Sequence, residues 1–115
     1  MGPECTIYTT IDIVKYLVEE CHCNVEAKDN DGRTPLYLAS TYGHLDVVKY
    51  LVEECHCNVE AKDKFGWTPL YFAFSFSHLD IVKYLVEECH SNVEAKNNSG
   101  WTPLHWASCY GTKAR

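Results

Sequence analysis

The chain repeats itself every 34 residues. Thr34-Pro35-Leu36-Tyr37 returns as Thr68-Pro69-Leu70-Tyr71 and as Thr102-Pro103-Leu104-His105. Asp12 to Cys21 returns as Asp46 to Cys55 and as Asp80 to Cys89, with only Ile/Val exchanges at positions 13, 47 and 81. A fixed period of this length marks a solenoid, in which a unit too small to bury its own apolar face stacks on copies of itself. The 115 residues are one domain's worth of such a stack.

The chemistry inside one period can be read residue by residue. Thr34 before Pro35 predicts a helix start, because the hydroxyl can accept from a free amide and proline suits the first helical position. Leu36, Leu38 and Ala39 then form the apolar side of a short first helix that ends near Gly43, a residue able to take the left-handed conformation. A second helix is expected from about Leu45 to Glu54, with Leu45, Val48, Leu51 and Val52 on one face. Asn58 to Asp63 leads into Lys64-Phe65-Gly66-Trp67, a polar, glycine-containing turn. The unit is therefore helix, turn, helix, projecting loop.

These residues resemble the ankyrin repeat. Its Gly-x-Thr-Pro-Leu-His-x-Ala core, Gly-His turn, Val-Val-Lys-x-Leu helix and Asn-Val-x-Ala loop are matched by Gly32 to Ala39, Gly43-His44, Val47 to Leu51 and Asn58 to Ala61. The resemblance implies an all-α solenoid of stacked helix-turn-helix units joined by β-hairpin-like loops. It covers nearly the whole chain from Thr10 onward, and three linked copies make it specific.

The departures are informative. The period is one residue longer than the usual repeat of about 33. A Cys55-His56-Cys57 run stands where a glycine normally follows the second helix, so the usual helix end is not assumed there. Tyr37 and Tyr71 replace the histidine that ties one repeat to the next in the family, and only His105 keeps it. Ser77 stands where Gly43 and Gly111 sit, so a left-handed turn there would cost roughly 1 kcal/mol.

The period divides a single domain, 1–115, into a partial first repeat 1–28, repeats 29–62 and 63–96, and a partial last repeat 97–115. Pro3 to Tyr8 is expected to form a degenerate first helix. Lys113-Ala114-Arg115 falls where another second helix would begin, so Leu104 and Trp106 should form an exposed apolar flank, through which self-association is expected.

Net charge enters through its placement. Much of the −6 sits in the repeated pairs Glu19-Glu20, Glu53-Glu54 and Glu87-Glu88, followed by Glu26, Glu60 and Glu94. An acidic stripe with no basic counterpart argues against nucleic acid and anionic membrane as partners. No apolar run approaches the ~20 residues of a membrane span, and no secretory signal pattern opens the chain. Seven cysteines at repeat-locked positions are not a disulfide framework, because equivalent residues one helix diameter apart, ~10 Å, lie beyond bridging reach. Free thiols fit an intracellular, cytoplasmic setting.

Positions identical in every copy build the stack, whereas those that vary are free to meet a partner. The variable set is Asn30, Asp31, Arg33, Thr41 and Tyr42 in one unit, Lys64, Phe65, Trp67, Ser75 and Phe76 in the next, and Asn98, Ser99, Trp101, Cys109 and Tyr110 in the third. Aromatics and arginine dominate protein-interface hot spots. The resemblance implies binding of a protein partner through loop tips and the concave face of the first helices. The alternative role is a structural spacer, or a fragment of a larger ankyrin-repeat protein whose function lies elsewhere.

Catalysis has no candidate constellation, since serines, histidines and carboxylates recur along the stack instead of converging. No cofactor is expected either. The Cys-His-Cys runs supply three zinc ligands at most, with the next run a repeat away, so duplicated helix-end residues explain them better. Asp29-Asn30-Asp31-Gly32 lacks the glycine and terminal glutamate spacing of a calcium loop. Asn97-Asn98-Ser99 has the pattern of a glycosylation sequon, but it would need a secretory route.

Overall fold

Each Thr-Pro step starts a helix, and each Asp-(Ile/Val)-Val-Lys segment forms the next. The structure, a computed structural model, describes residues 7–110. Its helices are α1 (Thr10–Glu19), α2 (Pro35–Tyr42), α3 (Leu45–Glu53), α4 (Pro69–Ser75), α5 (Leu79–Lys83), which runs on into a π-helical turn (Tyr84–Glu88), and α6 (Pro103–Tyr110). Ile7 and Tyr8, the described part of the expected degenerate first helix, are not helical. The rest of that segment and Lys113-Ala114-Arg115 lie outside the described residues.

The first helices α2, α4 and α6 stack in one layer, and the second helices α1, α3 and α5 in another, with α2 paired to α3 and α4 to α5. Leu36, Val48, Leu51, Ala73, Ile81 and Leu85 are the most enclosed members of the core between the layers. Val48 and Leu51 take the buried positions expected of them, while Leu45 and Val52 are half-buried. Val47 and Tyr50 are buried as well. A helix packed between α1 and α5 loses solvent on two sides, so an apolar stripe drawn for one face is too narrow.

The caps follow the local sequence. Thr34 Oγ1 accepts from the Tyr37 amide at 3.2 Å, and Gly43 closes α2 at φ 81°. Ser77 adopts the same left-handed conformation at φ 62° without being glycine, which carries the strain expected from its side chain.

The Cys-His-Cys runs are helix ends. The Cys21, Cys55 and Cys89 amides reach back to the Tyr16, Tyr50 and Tyr84 carbonyls, at 3.2, 3.3 and 3.2 Å. The next turn closes by a six-residue bond from Cys23, Cys57 or Ser91 to Leu17, Leu51 or Leu85, at 3.0, 3.0 and 2.9 Å. The residue between is left-handed in every copy: His22 at φ 56°, His56 at 56° and His90 at 55°. This is a left-handed helix closure one residue wider than the Schellman motif, with histidine in the place usual for glycine, and histidine is among the side chains that tolerate that conformation better than most.

At this closure the side chains of the second run diverge, with His56 exposed and Cys57 buried. The Cys57 Sγ lies 3.9 Å from the Val25 carbonyl oxygen, to which it donates. Burial, with the nearby Glu26 carboxylate, pushes the Cys57 thiol up to about 12. At pH 8 its thiolate fraction is therefore about a thousandfold below that of a thiol titrating near 8.5. Brief iodoacetamide treatment followed by peptide mass spectrometry should modify the exposed Cys21 and Cys23 and leave Cys57 free. Equal labelling of all three would contradict this burial.

Candidate functional site

The loops reach one side of the stack because an Asp or Asn at each loop start gathers the amides behind it. Asp63 Oδ1 accepts from the Phe65 and Trp67 amides, both at 2.9 Å. Asp29 does the same for Asp31 and Arg33, and Asn97 for Ser99 and Trp101. Backbone bonds from Asp29 to Arg33, Asp63 to Trp67 and Asn97 to Trp101 close each loop like a hairpin, at 3.0, 2.9 and 2.9 Å. Among the described residues none is assigned to a strand. Successive loops are joined by the Lys64 amide donating to the Asp31 carbonyl and the Asn98 amide to the Phe65 carbonyl, each at 2.9 Å.

Between the first two of these loops and helices α2 and α4 runs a groove of about 310 Å³. Of the sequence-predicted residues it gathers Asp31, Arg33, Thr41, Tyr42, Lys64, Phe65 and Phe76. Three of its rings are strongly exposed: Tyr42 at 63%, Phe65 at 56% and Phe76 at 53%. Thr41 is a correction: it is buried, its hydroxyl donates to the Tyr37 carbonyl at 3.0 Å, and the His78 Nε2 lies 2.9 Å from its own carbonyl oxygen. An inward-facing hydroxyl with a helical carbonyl four residues back has its partner already, and Thr41 belongs to the scaffold.

The other predicted positions divide. Asn30 and Ser99 are exposed and Ser75 is half-buried, all outside the groove. Trp67 is half-buried, stacked on Tyr71 with ring centroids 3.3 Å apart. Asn98 joins the loops, its Nδ2 donating to the Lys64 carbonyl at 3.0 Å. Trp101 and Cys109 line a separate hollow of about 500 Å³ with Leu104 and His105. The half-buried Trp101 packs on Tyr110, whose ring is 59% exposed, with centroids 6.2 Å apart.

Four groove residues escaped the sequence reading: Tyr37, Leu38, Asp63 and Phe72. Phe72 is the hub of the aromatic wall, with its centroid 5.2 Å from Tyr37, 4.9 Å from Tyr71 and 6.3 Å from Phe76. Its signal was present, because positions 38, 72 and 106 read Leu, Phe and Trp. Tyr37, identical to Tyr71, looked like pure scaffold. Its phenol donates to Asp63 Oδ2 at 2.6 Å, so it makes the unit-to-unit tie that the resemblance assigns to histidine. Burial, reinforced by that carboxylate, holds the Tyr37 phenol well above its ordinary range. By contrast His105, the retained histidine, has its Nδ1 beside the Thr102 amide and hydroxyl of its own unit, at 3.0 and 2.8 Å.

The charges at the groove mouth are balanced among themselves. Asp31 lies 3.4 Å from the Arg33 guanidinium and 3.0 Å from Lys64 Nζ, and Arg33 Nε pairs with Asp29 at 2.8 Å. The Arg33 amide and side chain hold the Asp29 carboxyl below the usual carboxylate range. Such exposed pairs add little stability, but they fix the orientation of the loop. Lys64 Nζ also lies 5.2 Å from the Phe65 ring centroid. The result is an apolar aromatic wall beside a polar, self-satisfied rim, an arrangement suited to holding an apolar side chain. Among the described residues no three His, Cys, Asp or Glu side chains converge as a metal site requires.

Comparison with known families agrees with the geometry: a family model described as ankyrin repeats, in three copies, matches residues 5–63 and 55–114. No curated protein matches the chain.

Proposed function

The chain belongs to the ankyrin-repeat family, and on that premise we propose that it binds a protein partner in the groove between the loops and helices α2 and α4. Members of the family are generally protein-interaction modules and non-catalytic. The observation that carries the reading is the exposure of Tyr42, Phe65 and Phe76 around one hollow, whereas the loop rings Trp67 and Trp101 are half-buried and pack on Tyr71 and Tyr110. Large rings held open to water are unfavourable by roughly 1.5–3 kcal/mol each relative to burial. A partner that inserts an apolar side chain among them recovers part of that, and the compensated rim then meets polar groups on either side. The binding units are repeats 29–62 and 63–96, flanked by 1–28 and 97–115 within a single domain. Among the described residues no helix is long and apolar enough to cross a membrane. The unpaired cysteines suit an intracellular setting.

The test uses a partner captured by the wild-type chain and then purified. Phe65→Ala combined with Phe76→Ala should weaken its binding by about 2–4 kcal/mol, on the order of 30- to 1,000-fold, by calorimetry. The helical circular dichroism should not change, since both rings are exposed. Lys96→Ala, an exposed change outside the groove, should leave binding intact. A double variant that binds as tightly as wild type would end this reading.

A further inference from the structure

The loop that carries Phe65 is held differently from the loop after it. Within Asp63 to Trp67 the hydrogen bonds converge on Asp63. Its Oδ1 accepts from the Phe65 and Trp67 amides at 2.9 Å each. Its own amide donates to the Trp67 carbonyl at 2.9 Å, and its carbonyl accepts from the Gly66 amide at 3.0 Å. Oδ2 remains, and the Tyr37 hydroxyl donates to it at 2.6 Å. A short bond to a carboxylate is among the stronger hydrogen bonds. Tyr37 stands on α2, one unit upstream, and is only 3% exposed, so water competes little for that bond.

The third loop does not repeat the arrangement. Asn97 stands there in the place of Asp63 and gathers the Ser99 and Trp101 amides in the same way. The tyrosine one period after Tyr37 is Tyr71, whose hydroxyl makes no hydrogen bond to Asn97 among the described residues. Its ring is drawn instead into the stack on Trp67 and meets Trp106 edge-on. The expected exposure of Trp106 needs correction. It is half-buried, with its ring centroid 5.8 Å from both Tyr71 and Phe74. The loop tips differ in step, because the position of Phe65 is occupied by Ser99 one period on. The loop with the aromatic tip is the one latched by a buried tyrosine.

Phe65 needs such a latch. Its ring is 56% exposed, and Lys64 Nζ, 5.2 Å from its centroid, belongs to another exposed side chain. A ring in water is placed by its backbone, and this backbone hangs on Asp63. A ring ordered only on binding would lose affinity to that ordering, whereas one already in place would not. Resting on the groove as the binding site, we infer that Tyr37 is a positioning residue for recognition. Through Asp63 it fixes the second loop and sets Phe65 at the groove rim before a partner arrives. Its hydroxyl acts from the interior and does not meet the partner.

Tyr37→Phe removes the hydroxyl and keeps the ring. Asp63 is half-buried, so water can reach its freed oxygen, and the variant should keep wild-type helical circular dichroism. Amide exchange followed by NMR on the free chain should be about fivefold or more faster at Phe65 and Trp67, with Ser99 and Trp101 unchanged. Tyr71→Phe, the same change one period on, should leave exchange at all four amides as in wild type. Binding is read by calorimetry with the purified partner captured on the wild-type chain. Tyr37→Phe should weaken it by about fivefold or more. In a Phe65→Ala background the same change should matter less than about twofold, because a residue acting through Phe65 then has nothing left to place. Unchanged exchange at Phe65 and Trp67 would overturn the positioning role and leave the groove reading standing, as would equal losses of affinity with and without the Phe65 ring. A Phe65→Ala chain that binds like wild type would instead remove the groove reading, and this role with it.

Discussion

Leu51→Ala should lower stability by about 2–5 kcal/mol, while the same change at Leu17 costs only about 1 kcal/mol. The two leucines sit in identical local sequences, Val-Lys-Tyr-Leu-Val-Glu-Glu-Cys, one period apart. Helix propensity and every neighbour within three residues are therefore matched between them, and four residues back the only difference is Ile13 against Val47. Leu51 is 1% exposed, inside the core between α1 and α5, whereas Leu17 is 43% exposed on the outer side of α1. Truncation at Leu51 leaves a cavity whose walls come from three units, and Leu17 has no equivalent wall to lose. Urea unfolding followed by circular dichroism reads the difference as a midpoint shift, with the slope checked for constancy. Equal shifts would mean that the units are stabilised from within, contrary to the nearest-neighbour picture of a repeat stack.

The same comparison shows what the sequence could and could not reveal. The period, the Thr-Pro starts and the glycine closure of α2 were legible because each rests on backbone chemistry within a few residues. Burial was less legible, since Leu17, Leu51 and Leu85 read alike and differ only in what lies beside them. The Cys-His-Cys run was legible as a helix end in composition but not in geometry: histidine at the left-handed position is a minority choice that local rules rank below glycine. The site was legible in part. Variation between copies pointed to Phe65, Phe76 and Tyr42, yet it also pointed to Thr41, whose side chain turns inward. It passed over Tyr37, which carries a unit-to-unit bond and at the same time lines the groove. The position reads Tyr, Tyr and His in the three copies, and taking it for scaffold on the two matching tyrosines hid its place in the groove.

Gly66→Ala should destabilise the chain by about 2–4 kcal/mol, whereas Gly100→Ala, at the same place in the next loop, should cost only about 1 kcal/mol. Both glycines are left-handed, at φ 86° and 80°, so each substitution carries the strain of a side chain in that conformation. Only at Gly66 does a neighbour stand in the way. A Cβ there would come within 2.5 Å of Asn98 Oδ1 and 2.7 Å of the Asn98 backbone nitrogen, whereas at Gly100 nothing lies within 4 Å. The obstructing atoms belong to the next loop, and the Asn98 amide is the one that donates to the Phe65 carbonyl at 2.9 Å. To admit a methyl group the third loop must move off the second, breaking that bond and shifting Phe65 at the groove rim. Gly66→Ala should therefore lower stability in urea and also speed amide hydrogen exchange at Asn98, while Gly100→Ala leaves exchange there unchanged. If both variants lose the same stability and Asn98 stays protected in each, the loops are not in the contact that positions the groove.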